Sequence, residues 1–179
     1  MIHVVAVGDG VDADRLRALA EDLARRFRVG CQVREEVLDA GFARDAARGQ
    51  YHSTAILERL RGLAADRGTR VLGVTALDLF VPIFTFVFGE AQLEGHCALV
   101  SWYRLAEEHY GLPADERKLR ERLEKEAVHE LGHTFRLRHC EDWRCVMASS
   151  HSVERMDVKG AEFCQECARA VNAGRAISG

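Results

Sequence analysis

The sequence predicts an α/β (α+β) fold in which a mixed, mostly parallel twisted sheet packs against helices. Strand-like apolar runs alternate with amphipathic helix-like runs over the first 75 residues, and a long helix follows in the second half. Such alternation favours parallel strands, because each helix carries the chain back across the sheet. Four cysteines near the end of the chain add a small C-terminal subdomain that they staple together.

Five elements are predicted at the start of the chain, in the order strand, helix, strand, helix, strand. They cover residues 2–7, 13–27, 32–38, 53–66 and 71–75. The second helix directs four apolar side chains inward: Ile56, Leu57, Leu60 and Leu63. This β-α-β-α-β start forms the core of the predicted sheet.

One or two short strands are predicted at residues 84–88 and 96–101, and a long helix follows them. That helix is predicted to start near Pro113, because proline is favoured in the first turn of a helix. It carries His129 and His133.

Residues 129–140 read H-E-L-G-H-T-F-R-L-R-H-C and have the residue types of a catalytic zinc site. His129 and His133 lie one helical turn apart on the same face, so two imidazoles can bind one metal. Glu130 sits about 60° around the helix from His133, beside the metal and free to take a proton. His139 comes six residues after His133, so the chain must leave the helix to bring it back. Three protein ligands leave one zinc position open for water, as in catalytic zinc sites.

The H-E-x-x-H pattern alone has an alternative interpretation. It arises by chance in roughly one chain of this length in two hundred. The same residues fit an amphipathic helix with two partly exposed histidines and a capping histidine. The third histidine favours the metal site.

A second cluster consists of two cysteine pairs, C-x4-C followed by C-x2-C: Cys140, Cys145, Cys164 and Cys167. Four thiolates close a tetrahedral zinc site with no room for water, so such a site is structural. The alternatives are disulfides and a redox pair at Cys164 and Cys167, which precede a predicted helix at 168–176. Disulfides are disfavoured, because the chain opens with a strand instead of a signal peptide. Met147 alone is more typical of core filling.

Together these residues resemble the archaemetzincin signature, H-E-x-x-H-x5-H-C-x4-C-x-M followed by C-x2-C, a branch of the metzincin zinc peptidases. Weaker similarity extends upstream through residues 78–82 and 88–91. The resemblance implies a metzincin-like domain over 1–179, with an N-terminal subdomain (1–135) and a C-terminal one (136–179). It implies two Zn²⁺ per chain, with these roles: His129, His133 and His139 for catalytic zinc, Glu130 as general base, Met147 as the methionine beneath the metal, and Cys140, Cys145, Cys164 and Cys167 for structural zinc.

Two departures from the family pattern stand out. Arg136 occupies the position where the family has glycine, and an arginine with left-handed backbone costs roughly 1 kcal/mol. We expect His139 to reach the metal nevertheless. The spacing from Met147 to Cys164 is one residue shorter than usual, which a surface loop can absorb. By the resemblance, strand 96–101 is expected to be the sheet edge that borders the cleft and pairs with substrate.

The charge and the apolar runs of the sequence limit the kinds of partner that the protein is expected to bind. Net charge is −3 and the basic residues are interleaved with acids, so nucleic acid is not an expected partner. The apolar run at 77–89 is too short to cross a bilayer, so no membrane partner is expected. A monomeric cytoplasmic enzyme acting on peptides or proteins is predicted.

Three hypotheses for function follow. The first is a zinc metalloprotease in which Glu130 activates water to hydrolyse peptide bonds. The second is a catalytically silent or latent, zinc-stabilised peptide-binding module, which Arg136 beside the metal would favour. The third is a zinc hydrolase of a non-peptide amide. Turnover separates the first two, and a substrate library separates the third.

Overall fold

The central feature of the fold is a mixed sheet of five strands, seen in a computed structural model that describes residues 1–64 and 68–177. The helices and strands in chain order are β1 (Ile2–Val7), α1 (Ala13–Phe27), β2 (Cys31–Leu38), β3 (Arg44–Asp45), β4 (Gln50–His52), α2 (Ser53–Arg61), β5 (Arg70–Thr75), β6 (Leu79–Phe80), β7 (Gly89–Ala91), β8 (Cys97–Ser101), α3 (Glu116–Thr134), α4 (Val153–Val158) and α5 (Gln165–Ile177).

The strand order in the main sheet is β2-β1-β5-β8-β7. The first four strands are parallel, and β7 runs antiparallel to β8 at one edge. Strands β3, β4 and β6 form a separate small sheet. Apolar residues fill β1, β5 and β8 almost continuously because both faces of these strands are covered.

Two hydrophobic clusters cover the two faces of the main sheet. Helices α1 and α3 pack on one face, and α2 packs on the other. The α2 face needs a glycine at Gly73, since a Cβ there would lie 2.5 Å from Leu60 Cδ1. Helix α3 lies across β8 and β7 with its last turns buried, which places residues 126–131 beneath the sheet edge.

The C-terminal part of the chain joins the same cluster as α1 and α3. It contributes seven buried residues to that cluster: Leu137, Cys145, Val146, Met147, Val153, Met156 and Val171. A polar connection accompanies them. The fully buried Arg122 of α3 donates to both carboxylate oxygens of Asp157 in α4 at 2.7 Å, and it lies 2.7 Å from Glu107.

The first five predicted elements are confirmed in type and order. The second helix is shorter than predicted and ends at Arg61, and residues 65 and 66 of that prediction lie outside the described residues. Ile56, Leu57 and Leu60 are buried, and Leu63 is partly buried against them. The predicted helix at 168–176 lies within α5.

Three predictions in the middle of the chain are wrong. Residues 84–88 form a loop and not a strand, with one bridge between Leu79 and Val87. Strand 96–101, seen as β8, is not the edge, because β7 pairs outside it. Helix α3 starts at Glu116, where the Asp115 side chain accepts from the Lys118 N–H, so Pro113 precedes the helix instead of starting it.

Side chains from the small sheet donate hydrogen bonds to backbone carbonyl groups of the loop at residues 81–88. Arg48 donates to the carbonyl oxygens of Phe84 and Thr85, both at 3.0 Å. Gln50 also donates to the Thr85 carbonyl at 3.0 Å. The loop is therefore anchored from the small sheet.

Within residues 1–64 and 68–177, no helix combines the length and the apolar character needed to cross a membrane.

Candidate active site

The last turns of α3 bring the sequence-predicted histidines together. His129 and Glu130 are buried, and His133 is partly buried. The polypeptide returns after the helix so that one ring nitrogen from each of His129, His133 and His139 lies within 4.8 Å of the others. The Nε2 atoms of His129 and His133 are 3.2 Å apart. The predicted convergence of the third histidine is therefore seen in the structure.

Backbone carbonyl groups orient two of the imidazoles. His129 Nδ1 lies 2.9 Å from the Val146 oxygen, and His133 Nδ1 lies 2.7 Å from the Leu137 oxygen. Because a carbonyl oxygen only accepts, each Nδ1 carries the proton and each Nε2 keeps a lone pair. Lone pairs held this close repel one another unless a cation lies between them. The donor set therefore fits a zinc ion with three nitrogen ligands.

The electrostatic setting keeps the imidazoles neutral. Burial lowers the pKa of His129 well below its ordinary value, and the positive charge of Lys159 lowers it further. Burial also lowers the pKa values of His133 and His139. Neutral imidazole is the form that binds metal, so no proton has to be displaced near neutral pH.

Arg136 makes the turn that returns the chain to the histidines. It has φ +70°, and its N–H donates to the His133 carbonyl at 3.0 Å. The guanidinium group lies 3.5 Å from the carboxylate of Glu94, which also has positive φ, and both side chains are more than half exposed. Arginine thus adopts the left-handed conformation that was expected to need glycine, and His139 still reaches the other two histidines.

Glu130 belongs to a buried charged group that includes Glu126 and Lys159. Burial, and next the neighbouring Glu126, raise the pKa of Glu130 well above the ordinary carboxyl value, while the Lys159 cation lowers it. Lys159 is only 3% exposed, and its Nζ donates to the Ala148 carbonyl at 3.1 Å. The same Nζ lies 3.5 Å from His129 Nδ1. This cation offsets the two carboxylates, which would otherwise lie unpaired in a low dielectric.

Sequence reasoning missed Glu126 and Lys159. Glu126 carried a usable signal, since it precedes Glu130 by four residues and so shares its face of the helix. Lys159 carried none, because it is 29 residues further along and reaches the helix only through the fold.

Met147 packs against α3 at Gly132, between His129 and His133 in the sequence. It is fully buried, and a Cβ at Gly132 would be 2.4 Å from its Sδ. The glycine between His129 and His133 therefore allows the methionine to press against the helix backbone. The neighbouring residue Val146 supplies the carbonyl group that holds His129. The Met147 carbonyl accepts a hydrogen bond from the Cys140 N–H at 2.9 Å.

The four predicted cysteines also come together. The Sγ atoms of Cys140, Cys145, Cys164 and Cys167 all lie within 4.8 Å of one another. All six cysteines of the chain are free thiols, and the Cys140 and Cys164 sulfurs are 3.8 Å apart, too far for a disulfide. A zinc–sulfur bond of about 2.3 Å gives tetrahedron edges of about 3.8 Å, so the cluster has the size of a four-thiolate zinc site.

A cavity of about 300 Å³ opens beside the histidines. The loop before β7 forms one wall, Glu130 and His129 form the floor, and the segment after Met147 forms the other wall. Its lining includes three side chains that sequence reasoning did not connect with the site: Ser149, Ser150 and His151. A second, more open cavity of about 780 Å³ lies on the other side of His139, between residues 136–142 and the start of α5.

Gly89 brings the sheet edge against the floor of the cavity. A Cβ on Gly89 would lie 2.7 Å from Glu130 Cγ and 2.7 Å from the Leu99 carbonyl oxygen. Any larger residue would push β7 away from Glu130. The edge of the sheet, the carboxylate and the histidines therefore border one cleft.

A mixed sheet above a helix that carries H-E-x-x-H, with a third histidine returned beside the first two, defines a zinc metallopeptidase. Comparisons with known proteins agree. Residues 23–173 match the model of peptidase family M54. The archaemetzincin of Methanocaldococcus jannaschii is 39% identical over 166 residues, which cover 93% of this chain and 89% of that protein. The chain therefore belongs to peptidase family M54, the archaemetzincins.

Solved structures give the same result. The archaemetzincin of Archaeoglobus fulgidus, crystallised with malonate, superimposes with a TM-score of 0.81 at 37% identity, over 95% of this chain and 99% of that one. A zinc-dependent peptidase from Methanocorpusculum labreanum has a TM-score of 0.86 at 28% identity, over 96% of this chain and 100% of that one. The predicted fold class, family and enzyme class are confirmed.

Proposed function

We propose that this metallopeptidase hydrolyses peptide bonds at the cavity beside the histidines, with Glu130 as general base. His129, His133 and His139 would hold the catalytic zinc, and Cys140, Cys145, Cys164 and Cys167 would hold a second, structural zinc. The convergence of three neutral imidazoles next to a buried carboxylate in an open cavity carries the proposal. The separate cluster of four thiols supports two ions per chain.

The bound zinc would polarise the scissile carbonyl and lower the pKa of a water molecule. Glu130 borders the cavity next to His129, so its carboxylate can accept the proton of the attacking water and return it to the leaving amine. Burial and Glu126 raise the pKa of Glu130, which brings its affinity for protons closer to the operating pH. The positive charge of Lys159 lowers the pKa of Glu130 and so favours its carboxylate form.

Strand β7 would hold the substrate backbone. It is the outer strand of the sheet on this side, and an extended peptide can add to such an edge through main-chain hydrogen bonds. Glu90 of β7 keeps the strand in place, since its carboxylate accepts from the hydroxyl groups of Ser53 and Thr54. A peptide bound along β7 passes Gly89 and therefore reaches Glu130.

The alternative, a silent or latent peptide-binding module, depended on Arg136 disturbing the metal site. Arg136 instead completes the turn that returns His139, and its guanidinium group faces Glu94. The six free thiols suit a reducing compartment such as the cytoplasm. A monomer needs no further residue to complete the cleft, which the chain builds from its own elements.

The metal content comes first in the test. Native mass spectrometry of wild type should count two zinc ions per chain, and His133→Ala should retain one. Cys167→Ser should lose the ion of the thiol site, and its histidine site should bind zinc more weakly than that of wild type, because the C-terminal region carries His139 and the Val146 carbonyl that orients His129. One ion in both wild type and His133→Ala, even after added zinc, would sink the histidine site.

Turnover comes next, measured with a peptide library. We expect wild type to cleave and Glu130→Ala and Glu130→Gln to keep two zinc ions but lose at least about 10³-fold in kcat. Glu121→Gln is the control, because Glu121 is half exposed on the same helix. Equal rates in Glu130→Gln and wild type would mean that another group is the base.

A further inference from the structure

The segment that follows Met147 forms a wall of the cavity and carries three polar side chains. Ser149, Ser150 and His151 line it together with His129, Glu130 and His139. His151 is exposed, and its Nε2 lies 3.2 Å from the Ser149 hydroxyl. The proposed function gives this side chain no role.

Peptide hydrolysis needs a hydrogen-bond donor that the proposed base and ligands do not supply. Negative charge collects on the scissile carbonyl oxygen as water attacks, and preorganised donors lower the barrier by stabilising it. Glu130 is an acceptor in this step. His129 and His133 already donate their Nδ1 protons to backbone carbonyl groups. Lys159 is buried behind His129 and donates to the Ala148 carbonyl, so it does not reach the cavity.

Few donors remain among the described residues that line this cavity. No tyrosine, arginine or lysine is among them. The Ser150 hydroxyl is fully covered and has no partner within the described structure, so it is not open to a ligand. Thr85, in the loop on the opposite wall, is exposed and offers a hydroxyl. His151 is the exposed donor that a neighbouring side chain orients.

We propose that His151 is a catalytic residue that donates a hydrogen bond to the scissile carbonyl oxygen as it becomes negative, and that Ser149 is its positioning residue. In neutral imidazole one nitrogen accepts and the other donates. If the Ser149 hydroxyl donates to Nε2, the proton resides on Nδ1, which is then the donor to the substrate. This inference rests on the proposed function, since it assigns a role within the same reaction.

The first measurement is the affinity for a phosphinic peptide, a non-hydrolysable mimic of the tetrahedral state, determined by calorimetry on zinc-loaded protein. We expect His151→Ala to weaken phosphinate binding and to lower kcat, each by on the order of 10²-fold, with two zinc ions retained. Binding of the uncleaved peptide, measured in the Glu130→Gln background, should change by less than about threefold, because the bond strengthens only as charge develops. A merely structural role would weaken both ligands alike.

Companion variants define the chemistry. Ser149→Ala should reduce phosphinate affinity and kcat about tenfold each, because the His151 imidazole is then no longer held in place. His151→Gln keeps an N–H donor, so it should recover part of the phosphinate affinity and kcat that His151→Ala loses. His109→Ala is the matched control, since His109 is an exposed histidine at a distant 3₁₀ turn. Thr85→Val tests the rival donor.

The outcomes separate this inference from the proposed function. Phosphinate affinity and kcat within about threefold of wild type in His151→Ala would overturn it, as would a 10²-fold loss confined to Thr85→Val. Neither result would touch the proposal for Glu130 if Glu130→Gln is inactive. Absence of cleavage by wild type with both zinc ions bound would instead count against the proposed function, and phosphinate binding would still report on His151.

Discussion

The sheet region, residues 1–134, and the C-terminal region, residues 136–177, are held together by different forces. In the sheet region, β1, β5 and β8 are buried on both faces by the side chains of three helices. The C-terminal region has two helices, α4 and α5, and seven of its residues join the core cluster beside α1 and α3. The cysteine cluster links segments of this region to one another, while the Arg122–Asp157 pair and Lys159 link the region to α3.

The difference teaches that half of this active site depends on a few specific links as well as on hydrophobic burial. Hydrophobic burial is spread over many residues and tolerates single changes that conserve side-chain volume. Polar and metal links are concentrated, so one substitution can release a whole segment. The histidine helix belongs to the first region, whereas His139, Met147 and His151 belong to the second.

The largest expected effect comes from removing a cysteine ligand. Cys167→Ser should lose one zinc ion and destabilise the C-terminal region by several kcal/mol, because structural zinc contributes directly to folding. Hydrogen exchange should rise across 140–177 while β1, β5 and β8 stay protected. Cys31→Ser is the control, a cysteine of β2 outside the cluster. If the hydrogen-exchange protection of α5 stayed unchanged after the ion was lost, the C-terminal region would not depend on the cysteine cluster for its stability.

A smaller effect should follow from crowding the contact between the regions. Gly132→Ala places a Cβ against Met147 Sδ and should cost about 1–3 kcal/mol in urea denaturation. The partner variant Gly73→Ala crowds Leu60 within the sheet region and should cost a similar amount. Only Gly132→Ala should also weaken zinc binding, since Val146 holds His129. Equal zinc affinity in the two variants would show that Met147 does not support the ligands.

The pair of Arg122 and Asp157 is expected to contribute next. Hydrogen bonding to Arg122 lowers the pKa of Asp157 below its ordinary value. A lowered folded-state pKa stabilises the fold above the unfolded carboxyl pKa of about 3.9, and this stability is lost as pH falls through the folded value. Asp157→Asn should therefore cost about 1–2 kcal/mol near neutral pH and progressively less below about pH 4.

Denaturant titrations across pH measure this dependence. Asp14→Asn serves as the comparison in the sheet region, because Asp14 pairs with Arg17 but is 84% exposed. Its removal should change stability little at any pH. A difference between wild type and Asp157→Asn that grew towards acid would contradict the assigned sign.

The smallest effect is expected at Arg136. Arg136→Gly relieves about 1 kcal/mol of left-handed strain but adds freedom to the unfolded chain, so the net gain should be below about 1 kcal/mol. Glu94→Gly tests the partner residue, which also has positive φ. Thermal denaturation of zinc-loaded protein measures both. A clear loss of stability in Arg136→Gly would mean that its pairing with Glu94 outweighs the strain.

The same contrast explains what the sequence could predict. The first five elements were predictable because apolar runs and helical periodicity reflect burial that is local in the chain. The convergence of the three histidines and of the four cysteines was predictable because their spacing is short and chemically specific. The loop at 84–88 is apolar too, but it covers the cleft and is anchored by Arg48, so periodicity could not distinguish it from a strand.

Features created by distant contacts were not predictable. The order β8-β7 at the sheet edge depends on a hairpin of very short strands. Lys159 and His151 follow no period. Lys159 approaches His129, and His151 lines the cleft, only when the C-terminal region docks on α3. The left-handed backbone of Arg136 was inferred from the family pattern and then seen in the structure.

His139 and Cys140 are adjacent in the chain and belong to the two different ligand sets. During synthesis on the ribosome, the sheet and the histidine helix emerge first and can begin to pack. With the proposed ligands, the thiol cluster closes only after Cys167 has been added, and only then is the turn that carries His139 fixed at both ends. A nascent chain would therefore be able to fold its sheet before its cleft is complete.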